Sequence, residues 1–446
     1  MQRFSHSERG STAVLTALLL PVLLGFIGLA ADAVMWEISK RNMQGAADQA
    51  AIAAVVAYQA GAGADPATNA RAVAKQFGFN HGSDNTTVTV SLVTPPALGY
   101  LVDYSVTITK KQRQYFTSLF VSAPTASATA EAATSSNGPC ILVLSSAANG
   151  AFTNSGGSQV TLTSCDLDVN SVSATSTVVS GGGSKVSAQN INLVGGSSVS
   201  GGATLTASVQ LSKNTGQALS DPYQYRTAPT VGSCATNGTS YNLNYNGGTG
   251  QPTSLNPGTY CGSITIGGTK PFTLNPGVYV ITDTNGYGFG SAGAFKVSGG
   301  TLCAGGGVTI YVKSTKNAQI SFSGGSKVYI VAPDPATATG LNGETDGIAL
   351  WMDKDNPTGA TVSFSGGSTQ IIGGAIYAKH SNVTYSGGSA TSVSSVCPNV
   401  TTACAGTTQI VSDTLTISGT SVFTHSATSN SCVADPASAA RVKLIK

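Results

Sequence analysis

Charge is what this chain has least of. Asp, Glu, Lys and Arg make up 9% of its 446 residues, against about a quarter in an ordinary soluble protein. The net charge is only +3, so no basic footprint exists for a polyanion, and nucleic-acid binding is excluded. Histidine is scarce too: His6, His81, His380 and His425 lie far apart in sequence. No H-E-x-x-H, G-x-S-x-G or phosphate-binding loop occurs, which removes the commonest metalloprotease, hydrolase and nucleotide-binding signatures. None of the eight cysteines forms a C-x-x-C pair, so thioredoxin-type and zinc-ribbon motifs are absent as well. No cofactor is expected.

What is abundant is apolar, small and hydroxylated. Gly10 to Ala31 holds 22 residues without a charge. As a helix it reaches about 33 Å, enough to cross the roughly 30 Å hydrocarbon core of a bilayer. Pro21, in mid-span, is tolerated in membrane helices. Arg3 and Arg9 precede the span and Lys40 and Arg41 follow it, so the positive-inside rule does not orient it. The cysteines favour the bulk of the chain lying outside the cytoplasm, because all eight fall beyond residue 139, and an even number there suits disulfides in an oxidising compartment. Ala31-Asp32-Ala33 has the A-x-A form of a signal-peptidase site. The length of the run and the acidic residue favour an uncleaved anchor. Val34 to Ala60 continues as an Ala-rich helix with Ile38, Met43, Ala47, Ala50, Ala54 and Ala57 near one face.

The pattern E-R-G-S-T-A-V-L-T-A-L-L-L-P-V-L-L-G-F-I-G-L-A-A-D, followed by K-R-N-M-Q-G-A-A-D-Q-A-A-I-A-A, resembles the N-terminal domain of TadE/TadG-like proteins of Flp (tight-adherence) pilus assembly. The matching positions are Gly10, Pro21, Asp32, Arg41, Gln44, Ala46, Ala47, Asp48 and Ala50. Prepilin-type sites carry Glu five residues after the cleavage Gly, where this chain has Leu15. The resemblance is therefore to the anchored TadG-like members. It implies a single-pass inner-membrane protein with its bulk in the periplasm or at the cell surface, and other pilus assembly proteins as partners.

Beyond the helix, Asp65-Pro66 opens a second short helix to Phe77. Alternating runs from Thr86 and Val102, and A-S-A-T-A-E-A-A from Ala126, read as strands. Tyr115, Phe116, Leu119 and Phe120 form an aromatic cluster between the second and third of them. The texture changes from Asn137. S-G-G-S-like turns start near Ser155, Ser180, Ser200, Ser298, Ser323, Ser365 and Ser386, with spacings of 25 and 20, then 25, 42 and 21. Such periods indicate a solenoid, and the 42 reads as two periods with one turn replaced by a loop. L-N-P-G-T-Y from Leu255 recurs as L-N-P-G-V-Y from Leu274, each suited to a type II turn. The expected fold is mostly β: a membrane helix running into an Ala-rich helix over 1–60, a small pilin-like α+β module over 61–136, and a right-handed parallel β-helix-like solenoid over 137–446 with an irregular segment at 203–250.

For chemistry, the acidic residues of the solenoid concentrate in Glu344, Asp346, Asp353 and Asp355. Asp346, Asp353 and Asp355 offer oxygen ligands to calcium, though not at EF-hand spacing. Tyr223, Tyr225, Tyr241 and Tyr245 could stack on sugars of a surface polysaccharide. Nearest-neighbour pairing predicts disulfides Cys140–Cys165, Cys234–Cys261 and Cys397–Cys404, with Cys303 and Cys432 left over. The expected function is structural and non-catalytic, in Flp/Tad pilus assembly or surface attachment. The alternative is an extracellular β-helix that binds or cleaves polysaccharide, which would require converging polar residues in a groove.

Overall fold

The computed structural model describes every residue except 1–8, 60–64, 95–99, 120, 136–138, 164, 238–239, 284–288, 290–292, 317, 334–344, 358, 392–396, 398–407, 427–441 and 446. Cys404, Cys432 and Glu344 therefore lie outside the described residues. Contacts divide the chain into two compact units: Met1–Ser135 with Val442–Lys446, and Ser136–Arg441.

In the first unit, helix α1 runs unbroken from Arg9 to Gln59, through Pro21, and α2 spans Pro66–Gln76. Asp65 caps α2, its carboxylate accepting from the Ala67 and Thr68 amides, while Pro66 starts the first turn, where a missing N–H costs nothing. Strands β1 (Thr86–Leu92), β2 (Tyr100–Lys111) and β3 (Thr125–Ser135) form an antiparallel sheet. The far edge of β3 is taken by Val442–Leu444, so the last residues belong here and not to the solenoid. The stripe Met43, Ala46, Ala47, Ala50, Ala51, Ala54 and Val55 of α1 packs on Val88, Val106, Ile108, Ala128, Ala130 and Ala132 of the sheet. Alanine at most of these places keeps the helix backbone close to the strands. Ile38, expected on this face, is exposed instead.

The second unit is a stack of parallel coils, three strands to a coil. Gly277–Thr282, Phe295–Ser298 and Thr301–Ala304 make one coil. They pair in register with Val308–Lys313, Gln319–Ser323 and Lys327–Val331 of the next. Alternate residues point inward, giving a continuous apolar core. Inside one face Phe295, Phe322, Phe364 and Tyr385 follow one another with ring centroids 6.3, 5.0 and 4.4 Å apart.

The S-G-G-S turns stack into one corner. Gly387 and Gly419 have φ of 63° and 73°, which disfavours any residue with a Cβ. A Cβ on Gly419 would also sit 3.0 Å from the Gly387 amide nitrogen, and one on Gly387 3.2 Å from that of Gly366. Where a serine closes the turn it is buried, and Ser389 and Ser421 share a 3.1 Å hydrogen bond. A Cβ on Gly366 would meet Gly324, so these two turns are immediate neighbours. The 42-residue spacing is thus one coil with a long insertion, and not two periods.

The coil order is not the chain order. Thr408–Ile417 pairs on one side with Thr369–Tyr385 and on the other with Pro139–Val143 and Phe152–Ser155, and Val422–Ser426 pairs with Gln159–Thr163. The last coil therefore lies against the first. From there 139–212 runs to one end of the stack, with Thr204–Ser212 at the edge. The coils restart at Cys234–Asn237, which pairs with Gly258–Cys261 at the opposite end. Much of 203–250, expected to be irregular, is thus coil. Its irregular part, 213–233, is a strap that returns along the outside of one face. Asn170 exchanges two hydrogen bonds with Leu219, Asp221 accepts from Tyr377 Oη (2.8 Å) and Lys379 Nζ (3.0 Å), and Tyr223 Oη donates to Gln409 (2.6 Å).

Disulfides join Cys140 to Cys165, Cys234 to Cys261 and Cys303 to Cys397. The first two connect neighbouring coils. Pairing of Cys397 with Cys404 is corrected: Cys397 packs against Cys303, Tyr329 and Ile371 on the outer side of three successive coils, a neighbourhood that sequence proximity cannot indicate. A peptide map of the unreduced protein is expected to yield a peptide linking Cys303 to Cys397. A fragment linking Cys397 to Cys404 instead would contradict this packing.

Candidate functional site

From Leu15 to Leu29 the large apolar side chains of α1 are exposed on all sides: Leu18 is 67% exposed, Phe26 66% and Ile27 65%. A helix apolar all round needs an apolar surrounding. Its end is where the first unit does something unusual. Asp32, just past the apolar run, is 1% exposed. Its carboxylate accepts from the amides of Tyr115, Phe116 and Thr117 and from Thr117 Oγ1, at 2.7–3.3 Å. Burial works against its charge, but these donated bonds outweigh it and hold the carboxyl down at about 2. One turn earlier, Gly28 lies under the Phe116 ring, whose atoms come within 2.5–2.8 Å of where a Cβ would be. Trp36 Nε1 donates to Arg113 O at 2.9 Å. The segment 113–117 is thus fastened to α1 at three successive places.

Further along α1, Gln44 donates to Asp48 Oδ1 (2.8 Å) and to Thr129 O (3.2 Å) on β3. A groove of about 650 Å³ opens beside this stretch, lined by Met35, Ile38, Phe77 and Phe79 with Arg41 and Lys110.

Residues 10–63 match the family Putative Flp pilus-assembly TadE/G-like. No curated protein and no solved structure matches the chain. The TadE/G-like segment is α1 and the four residues after it. The apolar helix and the family match together fit a single-pass membrane protein. Of the positions read from the sequence, Asp32 fixes the 113–117 segment, Ala46, Ala47 and Ala50 form the seat of the sheet, Gln44 and Asp48 act as one hydrogen-bonded pair, and Pro21 is inside the apolar run. Gly10 is in the first turn of α1.

The solenoid positions read as chemical candidates are not brought together. Asp346 and Asp353 flank the strand Ile348–Met352, which separates them by about 16 Å. Asp353 is buried and accepts from Tyr311 Oη and the Asp355 amide. Asp355 points out and pairs with Lys354 at 2.7 Å. The expected calcium cluster is therefore dispersed by strand geometry. Tyr223, on the strap, is buried against the face it crosses, and Tyr241 and Tyr245 pack on the core; Tyr225 stands alone at 89% exposure. Among the described residues, the one group of three metal-type ligands is Cys140, Cys165 and His425. Those sulfurs are bonded to each other, and a metal takes thiolates. Burial depresses the His425 imidazole to about 4, so it is a neutral core side chain. Sequence reading missed the bond between Asp32 and the aromatic segment; the signal available was an acidic residue directly following an apolar run.

The Asp32 carboxylate has its pKa lowered on folding, so its contribution is present above the ordinary carboxylate range and is lost as pH falls through about 2. Hydrogen exchange should show the 115–117 amides protected from neutral pH down to about 3 and opening near 2, while Asp32→Asn opens them already at neutral pH. Equal protection in both proteins at pH 7 would contradict the assignment.

Proposed function

We propose that this chain is a membrane-anchored structural component of Flp/Tad pilus assembly or surface attachment, with the solenoid carried outside the cytoplasm and without catalytic activity. The observation that carries this is the TadE/G-like match over a helix whose apolar stretch is exposed on every side. The three disulfides among the described residues of the solenoid support an oxidising location. Retention of the N-terminal segment is supported by Asp32, which any cleavage at Ala31-Asp32-Ala33 would detach from its four donors. Against a glycoside-hydrolysing role for this loop stand the separation of Asp346 from Asp353 and the capture of Asp353 by Tyr311, since such hydrolysis ordinarily uses two carboxyl groups flanking the scissile bond.

Complementation of a deletion strain that makes Flp-type pili tests both halves. The wild-type chain and Asp353→Asn with Asp355→Asn are expected to restore pilus-dependent attachment. Leu19→Arg with Leu23→Arg is expected not to restore it and to leave the protein out of the alkali-resistant membrane fraction, because each Arg at mid-span costs about 3 kcal/mol on insertion. Polysaccharide cleavage by the detergent-solubilised full chain, abolished by the Asp353/Asp355 pair of substitutions, would overturn the structural reading.

A further inference from the structure

We propose that Tyr115, Phe116 and Val121 form a second membrane contact, an aromatic foot seated at the boundary between hydrocarbon and headgroups beside the end of the α1 span. This rests on the reading of α1 as a membrane helix and adds to it a contact from a part of the chain about 85 residues away.

The first argument is depth. Phe116 is pressed onto Gly28 and Thr117 is bonded to Asp32, so the segment sits at a known level of the helix. The uncharged run ends at Ala31, three residues beyond Gly28, or about 4.5 Å along the axis. A run of about 33 Å in a hydrocarbon core of roughly 30 Å puts that level at the edge of the core. Gly28 makes the placement specific: with any side chain there, the ring would have to leave.

The second argument is chemistry. Tyr115 is 59% exposed, Phe116 53% and Val121 55%. Three exposed apolar side chains within seven residues are costly in water, and Phe116, seated on Gly28, lies one turn from the exposed Leu24 on the same face of the helix. Tyrosine and phenylalanine at headgroup level suit this position, since an aromatic body enters the acyl boundary and the phenol stays wet. Next to the segment Lys111 is exposed, and Arg113, in a 3.5 Å ion pair with Asp84, is also largely exposed; cations at this level meet lipid phosphates. Asp32 helps hold the loop at this level: its carboxylate takes up three consecutive amides that would be left unpaired near lipid. Two contacts, one helix and one foot, fix the tilt and rotation of the first unit on the bilayer, which a single helix leaves free.

The test is photo-crosslinking of the full chain in vesicles of phosphatidylcholine and phosphatidylglycerol. Benzoylphenylalanine is placed in turn at Phe116, at Leu24 within the span, and at Tyr58, which is exposed but thirty residues and about 45 Å beyond Gly28 on the same helix. Lipid adducts are read by mass spectrometry. The proposal expects adducts at Phe116 and Leu24, each at least about tenfold above Tyr58. Adducts at Leu24 with Phe116 at the Tyr58 level would overturn the foot and leave the span standing. Absence of adducts at Leu24 would overturn the span, and the foot with it.

Discussion

The second unit depends on a main-chain ladder between residues far apart in sequence. Ile410, Val411 and Ser412 pair with Ile141, Leu142 and Val143, and Gln409 reaches Pro139 across 270 positions. Closing a loop that long costs about 5 kcal/mol beyond a fixed term. The coil interface buries Ile141, Leu142, Phe152, Ile410 and Leu415 completely, at about 1.5–3 kcal/mol each, so burial outweighs closure. The topology of the chain gives the closure a reason. Thr134 of β3 pairs with Val442, so the whole second unit is inserted between neighbouring strands of the first. An ordinary solenoid has its ends at opposite poles. Laying the last coil on the first brings entry and exit to adjacent layers instead.

This arrangement creates a second requirement. Having run to one end, the chain must return to the other, and the 213–233 strap does so across an outward row of Leu142, Val411, Tyr377, Trp351, Tyr311 and Val280 that are register partners through five pairings. Tyr377 and Trp351 have ring centroids 5.6 Å apart, and Trp351 and Tyr311 5.7 Å. An exposed aromatic row on a solenoid would suggest a sugar-binding face. Here Tyr223, Leu219, Ala228 and Val231 of the strap cover it, and the row is part of the core.

Local rules made much of this legible. Twenty-two uncharged residues announced α1, Asp65-Pro66 announced the start of α2, and alternation announced β1 to β3, because each is a property of neighbours in sequence. The S-G-G-S turns were legible for the same reason: a positive φ and a buried small hydroxyl are demands on single positions. What escaped depends on which coil lies on which. The identity of the strap, the single 42-residue coil, the Cys303–Cys397 bond and the return of Val442–Leu444 to the first sheet all follow from stacking order, and no residue encodes that order by its own type. Asp32 shows the same limit at the candidate site: its acidity beside an apolar run is visible, but its partners at 115–117 are fixed by the packing of the sheet on α1.

Hydrogen exchange across the closure is the most direct measurement of this architecture. If the last coil lies on the first, the amides of Ile141 to Val143 exchange as slowly as those of Ile310 to Val312 in the interior of the stack. Exchange as fast as that of the edge strand Thr204–Ser212 would mean that the coils are not closed on one another, and the account of an inserted, closed solenoid would be wrong.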